Sequence, residues 1–177
     1  MNVRGRPMRT IWLAGDGRTV EIIDQTLLPH ELAIVRLAAL EQMAVAIRTM
    51  QVRGAPLIGV AAAYGVALAM ADDPTDRGLD RAVATLAATR PTAVNLRWAL
   101  TEMEGALRWL PQPERFAAAL ARAAEIAEAD VASSRAIGEH GARLIAAARR
   151  RRGGSRPVEV LTHCNAGWLA AVDWGTA

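Results

Sequence analysis

Apolar and polar residues change their spacing several times along this chain, and each change marks an element. Residues 9–13 (Arg-Thr-Ile-Trp-Leu) and 19–23 (Thr-Val-Glu-Ile-Ile) are short runs rich in β-branched and aromatic residues, which predicts two strands. Ala14-Gly15-Asp16-Gly17-Arg18 between them is turn chemistry, so the pair is expected as a hairpin. Pro29 closes this unit. Residues 32–37 fit a strand or the start of a helix, and periodicity does not choose between them.

From residue 40 the spacing becomes helical. Leu40, Met43, Ala44 and Ile47 fall on one face of a helix over 40–52. Arg53-Gly54-Ala55-Pro56 interrupts it, and Pro56 suits the first turn of a second helix running to about Met70. A loop over 72–78 and a helix over 79–88 follow. Arg90-Pro91-Thr92 breaks that helix, with Thr92 as N-cap of the next, which runs through Leu110. Pro111-Gln112-Pro113 reads as a connector. A long helical pattern then extends from Glu114 to about Arg149, with Gly138 and Gly141 placed to weaken or bend it.

Arg149 to Pro157 reads as a linker, and Val158–Thr162 as a strand ending in His163-Cys164-Asn165-Ala166-Gly167. A short apolar strand, a small-residue turn and an alanine-rich run together resemble the opening of a parallel α/β domain. The expected fold is α+β. A mostly helical N-terminal domain with a small β unit spans 1–150, and a linker spans 151–157. The truncated start of a Rossmann-like domain spans 158–177. One strand cannot bury a sheet, so 158–162 would leave unpaired edges.

Composition narrows the function classes. Of 177 residues, 52% are hydrophobic, which argues against global disorder. Aromatics are 4% and alanine is abundant, which favours helices packed through small side chains. The net charge is +3, and every basic residue is arginine. The absence of lysine excludes a Schiff-base or general-base lysine, while arginine suits bidentate contact with phosphate. With Cys164 as the single cysteine, neither an internal disulfide nor a multi-cysteine zinc site is possible.

The first ten residues contain no apolar run, so no secretory signal is expected and a cytoplasmic setting follows. Gly54–Ala71 is uncharged over 18 residues, at the edge of spanning length. Its glycines, proline and alanines read as a buried core helix, so no membrane partner is expected. Arg149–Arg152 reads as a solvated helix end placed well for the helix dipole, so no nucleic-acid partner is expected either.

Three places can carry chemistry. Arg53-Gly54-Ala55 precedes a helix start. Glycine permits close backbone approach, and free N–H groups there can hold an anion clamped by the arginine. A surface arginine with a capping glycine is the plain alternative. Arg90-Pro91-Thr92 repeats the arrangement. Cys164 sits where open α/β sheets place ligands and where a helix start would activate a thiol, although position alone equally suits a structural cysteine. His163 adjoins it, but successive residues of a regular strand point apart, which rules out a Cys–His dyad. Asp24 reads as a turn-stabilising carboxylate. His30-Glu31 lacks the second histidine of a zinc helix, because position 34 is isoleucine.

Five segments in order, IIDQTLLPHE (22–31), VRGAPLIGVAAAYGVALA (52–69), RPTAVNLRWAL (90–100), SRAIGEHGA (134–142) and LTHCNAG (161–167), resemble the methylthioribose-1-phosphate isomerase family of methionine salvage. Its superfamily also holds ribose-1,5-bisphosphate isomerases and regulatory subunits of a translation-initiation exchange factor, which are the alternative readings. The resemblance implies an intramolecular aldose–ketose isomerisation of a small-molecule sugar phosphate by a cytoplasmic homodimer, without metal or organic cofactor. It assigns substrate contacts to Arg53, Gly54 and Ala55, phosphate binding to Arg90 and a catalytic role to Cys164. The acidic partner of that cysteine lies farther along in the family than residue 177, so a chain of this length is expected to be inactive alone. Trp168 and Asp173-Trp174 depart from the family's usual pattern.

Overall fold

The chain enters through a minimal hairpin, β1 (Asn2–Val3) and β2 (Arg6–Pro7), paired antiparallel about Arg4 and Gly5. The structure is a computed structural model that describes residues 1–153 and 157–176. A three-stranded antiparallel sheet follows: β3 (Ile11–Leu13), β4 (Val20–Ile23) and β5 (Ile34–Leu37), with β4 central. The β3–β4 turn is the one expected. Asp16 Oδ1 accepts from the amides of Arg18 and Thr19 at 2.9 Å, and its Oδ2 accepts from Thr19 Oγ1 at 2.7 Å. The Thr19 and Arg18 amides, then the Thr19 hydroxyl, hold its carboxyl down at about 2. Residues 34–37 become a strand because Val35 and Leu37 pair with Ile22 and Val20, a choice that local periodicity left open.

Helix α1 (Leu40–Arg48) buries Leu40, Met43, Ala44 and Ile47, the predicted face. Helix α2 (Ala55–Asp72) is the axis of the molecule. By length and composition it could cross a membrane, but 14 of its 18 residues are buried. Helices α1, α3 (Asp76–Ala87), α4 (Val94–Leu107) and α5 (Gln112–Arg151) all pack against it. Small residues make this possible: Gly65 faces Met43 and Leu86, and an ideal Cβ on Gly59 would stand 2.9 Å from the Asn95 carbonyl oxygen.

Several helix limits differ from expectation. Helix α3 starts at Asp76, inside the expected loop, because Thr75 Oγ1 accepts from the Gly78 amide at 3.1 Å. Thr92 does not cap α4. Ala93 N donates to Arg90 O, so a turn occupies 90–93 and Ala93 becomes the N-cap, with no side-chain cap. The expected connector 111–113 is already helical from Gln112, with Pro113 in the tolerant first turn. Helix α5 runs unbroken through Gly138 and Gly141 to Arg151, past the expected linker start at Arg149. Of the expected linker 151–157, residues 154–156 lie outside the described residues.

Arg115 ties three helices together. The residue is 4% exposed, and its guanidinium donates to the carbonyls of Leu110, Pro74 and Arg108 at 3.0–3.1 Å, with an ion pair to Asp76 at 2.7 Å.

Residues 158–162, expected as the strand opening a Rossmann-like domain, form no strand. A strand needs a partner, and among the described residues none lies beside this segment. Residues 159–164 are exposed instead. Beyond them a single 3-10 turn, Trp168–Ala170, leads into Ala171 and Val172, which are buried against the sheet and helices. Thr10 holds this tail: its amide donates to Val172 O at 3.1 Å and its hydroxyl to Ala171 O at 2.7 Å.

Candidate functional site

The loop before α2 is fixed from the sheet side. Asp24 Oδ1 accepts from the Thr26 amide and hydroxyl at 2.9 and 2.6 Å, and Oδ2 accepts from Gln51 Nε2 at 2.7 Å. Burial pushes the Asp24 carboxyl up, but the Thr26 and Gln51 hydrogen bonds outweigh it and leave the carboxyl below its ordinary value. The turn role expected of Asp24 is therefore what it performs, with an added anchor to Gln51. The Gln25 amide donates to Gln51 O at 3.0 Å, so the end of β4 clamps residues 51–54 in place.

This clamp sets Gly54 at φ +110, a conformation that side-chain-bearing residues rarely adopt. Glycine is required for packing as well, since a Cβ there would stand 2.3 Å from Ala170 Cα. Gly54 is the N-cap of α2 and no side chain caps that helix. The amides of Ala55 and Leu57 therefore lack intrahelical acceptors. Helix α4 starts the same way, uncapped, at Val94.

The two starts are neighbours. Gly59, five residues into α2 from its N-cap, touches the backbone of Asn95, the second residue of α4. Five residues of helix span only about 7 Å, so the Arg53 and Arg90 loops lie at one end of the molecule. Arg53 is exposed and Arg90 half-buried, and neither side chain has an ion-pair or hydrogen-bond partner among the described residues. Arg97 Nη2 donates to Pro91 O at 3.0 Å and steadies the second loop.

The cysteine segment reaches the same end. Asn165 Nδ2 donates to Arg53 O at 3.5 Å, which sets the residue after Cys164 against the α2 loop. Cys164 is exposed and sits at φ +69, a left-handed conformation that costs about 1–2 kcal/mol for an L-residue. The expectation of a regular strand up to Cys164 fails, and so does the helix start behind it. Yet His163 makes no hydrogen bond to the thiol, so the dyad is absent on geometric grounds. The structure therefore gathers Arg53, Gly54, Ala55 and the Cys164 loop, and brings the Arg90 loop to the same end. It adds no acid or base within bonding distance of the thiol among the described residues.

Residue types alone did not single out Gln51, Asn165 or Asp130. Asp130, on α5, accepts from the Val172 amide at 2.7 Å; burial raises its carboxyl, and this hydrogen bond offsets the rise in part. Beside the two helix starts lies a cleft of about 260 Å³, walled by Pro56, Val60, Trp98 and Ile126 and edged by Asn95 and Asp130. Chemically, two free helix starts and two unpaired arginines suit an anion, and the exposed thiol suits proton transfer once a partner activates it. Among the described residues no group of three or more His, Cys, Asp or Glu could hold a metal.

A model of the initiation factor 2 subunit family matches residues 51–173. A methylthioribose-1-phosphate isomerase of Paramagnetospirillum magneticum is 63% identical over 177 residues, covering 100% of this chain and 48% of the relative. That alignment runs through Trp168 and Asp173-Trp174 to the last residue. A Rhodospirillum rubrum protein from the petC 3′ region is 57% identical, with 98% of this chain and 97% of that protein covered. The crystal structure of 5-methylthioribose 1-phosphate isomerase from Pyrococcus horikoshii OT3 superposes with a TM-score of 0.79 at 35% identity, covering 97% of this chain and 47% of that one. The mostly helical fold with small antiparallel sheets is thus shared with part of that enzyme. The chain spans about half the length of the curated isomerases it matches.

Proposed function

This chain belongs to the initiation factor 2 subunit family, and from that premise we propose that it forms one wall of an aldose–ketose isomerase site acting on methylthioribose 1-phosphate. The observation that carries the reading is the pair of uncapped helix starts, side by side, each preceded by an arginine without a partner. The identity to methylthioribose-1-phosphate isomerases supports the choice of sugar phosphate.

In this reading the phosphate rests on the amides of Ala55 and Leu57 at the start of α2, with Arg53 and Arg90 closing on its oxygens. Gly54 lets the sugar approach the backbone. The Cys164 thiol then helps move a hydrogen between the first two carbons, turning the aldose into methylthioribulose 1-phosphate. Each acid or base group in such a transfer contributes about 10²–10⁴-fold. The thiol has no acidic counterpart within bonding distance among the described residues, so the reading takes that group from the part of the relatives' length that this chain does not cover. Residues 1–150 act as the helical domain, 151–157 as a connector and 158–177 as the opening of an α/β domain whose first strand forms once neighbouring strands exist to pair with it. The complete enzyme is then a cytoplasmic homodimer of methionine salvage that needs no cofactor.

The test joins the second half of the Paramagnetospirillum magneticum relative to Ala177 and follows ketose formation. The 177-residue chain alone should give none, the joined protein should turn over, and C164S in the joined protein should abolish turnover. Turnover by the chain alone, or full activity of C164S in the joined protein, would contradict the proposal. The exposed, unpaired thiol also favours a second reading, a non-catalytic binding module of the family. That reading predicts no turnover in the joined protein and indifference to C164S.

A further inference from the structure

Helix α5 carries its core face beyond the core. Ala119, Ala123, Ile126 and Ser134 lie on one side of the helix at helical spacing, and all are buried. The same spacing continues through Ile137, Gly141, Leu144, Ile145 and Ala148, yet no residue of α5 after Ser134 is buried. Ile137, Leu144 and Ile145 are exposed, Leu144 at 71%. The stripe runs on where the bundle beneath it stops. Residues 135–151 extend for about 25 Å at the rise of an α-helix. A Cβ on Gly138 or Gly141 would meet nothing within 4 Å. A solvated stretch of this length with two glycines is marginal as a helix by itself in water.

A second unpartnered surface follows in the chain. Val160 and Leu161 are exposed, and Asn165 lies back at the Arg53 carbonyl beside the start of α2. Ser133 lines one cleft with Pro56 of that start, so this segment ends level with the point where α5 leaves the bundle. An occupant that serves both surfaces offers strands as well as an apolar face. Width and charge narrow it further. The stripe is about 100° wide, the breadth that faces a core layer rather than the narrower seam of a coiled coil. Six arginines and one glutamate lie from Arg135 to Arg152, and Arg149 and Arg151 flank the stripe by helical spacing. Two copies laid face to face would bring like charges together, whereas carboxylates around an apolar face would complement them.

We propose that the face of α5 from Ile137 to Ala148 is the docking surface for a β-sheet with an apolar face and an acidic rim. The sheet comes from the part of the isomerases' length that this chain does not cover; the chain covers 48% of the Paramagnetospirillum magneticum relative. The inference rests on the reading above, in which 158–177 opens an α/β domain. It adds that the sheet closes on α5, in the helix-on-sheet layering of α/β folds, and turns the overhang into core. Burial of Ile137, Leu144 and Ile145 supplies the apolar centre, and the flanking arginines fix the orientation.

Amide hydrogen exchange of the 177-residue chain and of the joined protein described above tests this. Amides of residues 137–148 should exchange about 100-fold or more slowly in the joined protein. Leu144→Asp should lower the urea midpoint of the joined protein and leave that of the chain alone unchanged. Ala146→Asp, on the far side of α5, should move neither. Arg151→Glu, at the rim, should reduce the protection several-fold, and Arg150→Glu, on the far side, should not. The exchange comparison uses unmutated proteins, so it decides even where a variant does not fold. Equal exchange in the two proteins, a joined protein that stays unfolded past Ala177, or equal effects of Leu144→Asp and Ala146→Asp would overturn the proposal. So would protection in the chain alone that rises with its concentration, which would make a second copy the occupant. If the joined protein turns over while residues 137–148 exchange freely, the docking surface is wrong and the isomerase reading stands. If those residues are protected without turnover, the docking surface stands and the isomerase reading falls.

Discussion

Replacing Gly54 with alanine strikes the point where the α2 start, the clamp from the sheet and the tail meet. The backbone there has φ +110, which an alanine tolerates at a cost of roughly 1–3 kcal/mol. The new Cβ would stand 2.3 Å from Ala170 Cα, 2.6 Å from its carbonyl oxygen and 2.7 Å from its Cβ. These are mostly backbone atoms that no rotamer change can move. Relief requires the tail to lift, and the tail is held by Thr10 at Ala171 and Val172, by Gln25 at Leu169 O (2.7 Å) and by Asp130 at the Val172 amide. Overpacking costs about 1–3 kcal/mol, and each hydrogen bond lost costs about 1 kcal/mol net, so either route adds to the strain. Gly54→Ala should therefore lower stability by roughly 3 kcal/mol or more. Urea unfolding followed by circular dichroism reads the total, and amide exchange reads the route. Val172 should exchange faster while the amides in the middle of α2 stay protected. An unchanged urea midpoint together with unchanged Val172 protection would refute the argument.

Other consequences separate the remaining contributions. Arg115→Met keeps the bulk but removes the donor shared by three carbonyls and the partner of the exposed Asp76; thermal unfolding should show a loss of roughly 3 kcal/mol, about 1 kcal/mol for each carbonyl bond, and a loss below about 1 kcal/mol would contradict the tie between α3, α4 and α5. Gly138→Ala and Gly141→Ala meet no atom within 4 Å, so each should stabilise α5 by about 0.5–1 kcal/mol in urea unfolding. Burial raises the Asp130 carboxyl above its ordinary 3.8, so its favourable contribution is complete below that value and is lost as pH rises through the folded value. Asp130→Asn keeps an acceptor for Val172 without the charge; its stability relative to the parent should improve as pH rises from about 4 to 7, and a flat difference across that range would oppose the reading.

What could be read from residues alone follows the range of the interactions. The β3–β4 hairpin was legible because Asp16 and Gly17 encode the turn locally, and α1 because its buried face recurs at helical spacing. Helix α2 was legible from Pro56 and an unbroken apolar run. Strand 158–162 was not, because a strand is defined by a neighbour and no neighbour stands beside those residues. The two-residue strands of the first hairpin were too short for any alternation to register. Thr92 had the chemistry of a cap, but the Arg90–Ala93 turn consumed its position. The tolerated glycines of α5 show that penalties of about 1 kcal/mol each do not end a helix supported elsewhere by packing and by pairs such as Arg135–Glu139. At the candidate site, Arg53, Gly54 and Arg90 were visible as residues preceding helix starts, a pattern that a surface arginine and a capping glycine fit equally well. Gln51, Asn165 and Asp130 act through partners far away in sequence, at Asp24, Arg53 and Val172, which no local pattern reveals.

Whether the paired helix starts hold the sugar phosphate decides the proposed function. The most direct measurement is an amide-resolved NMR titration of the chain with methylthioribose 1-phosphate. The amides of Ala55, Leu57, Val94 and Asn95 should shift together and saturate on one curve, while those of the distal half of α5 stay still. Shifts confined to other surfaces, or none at those four amides as the ligand is raised, would contradict it.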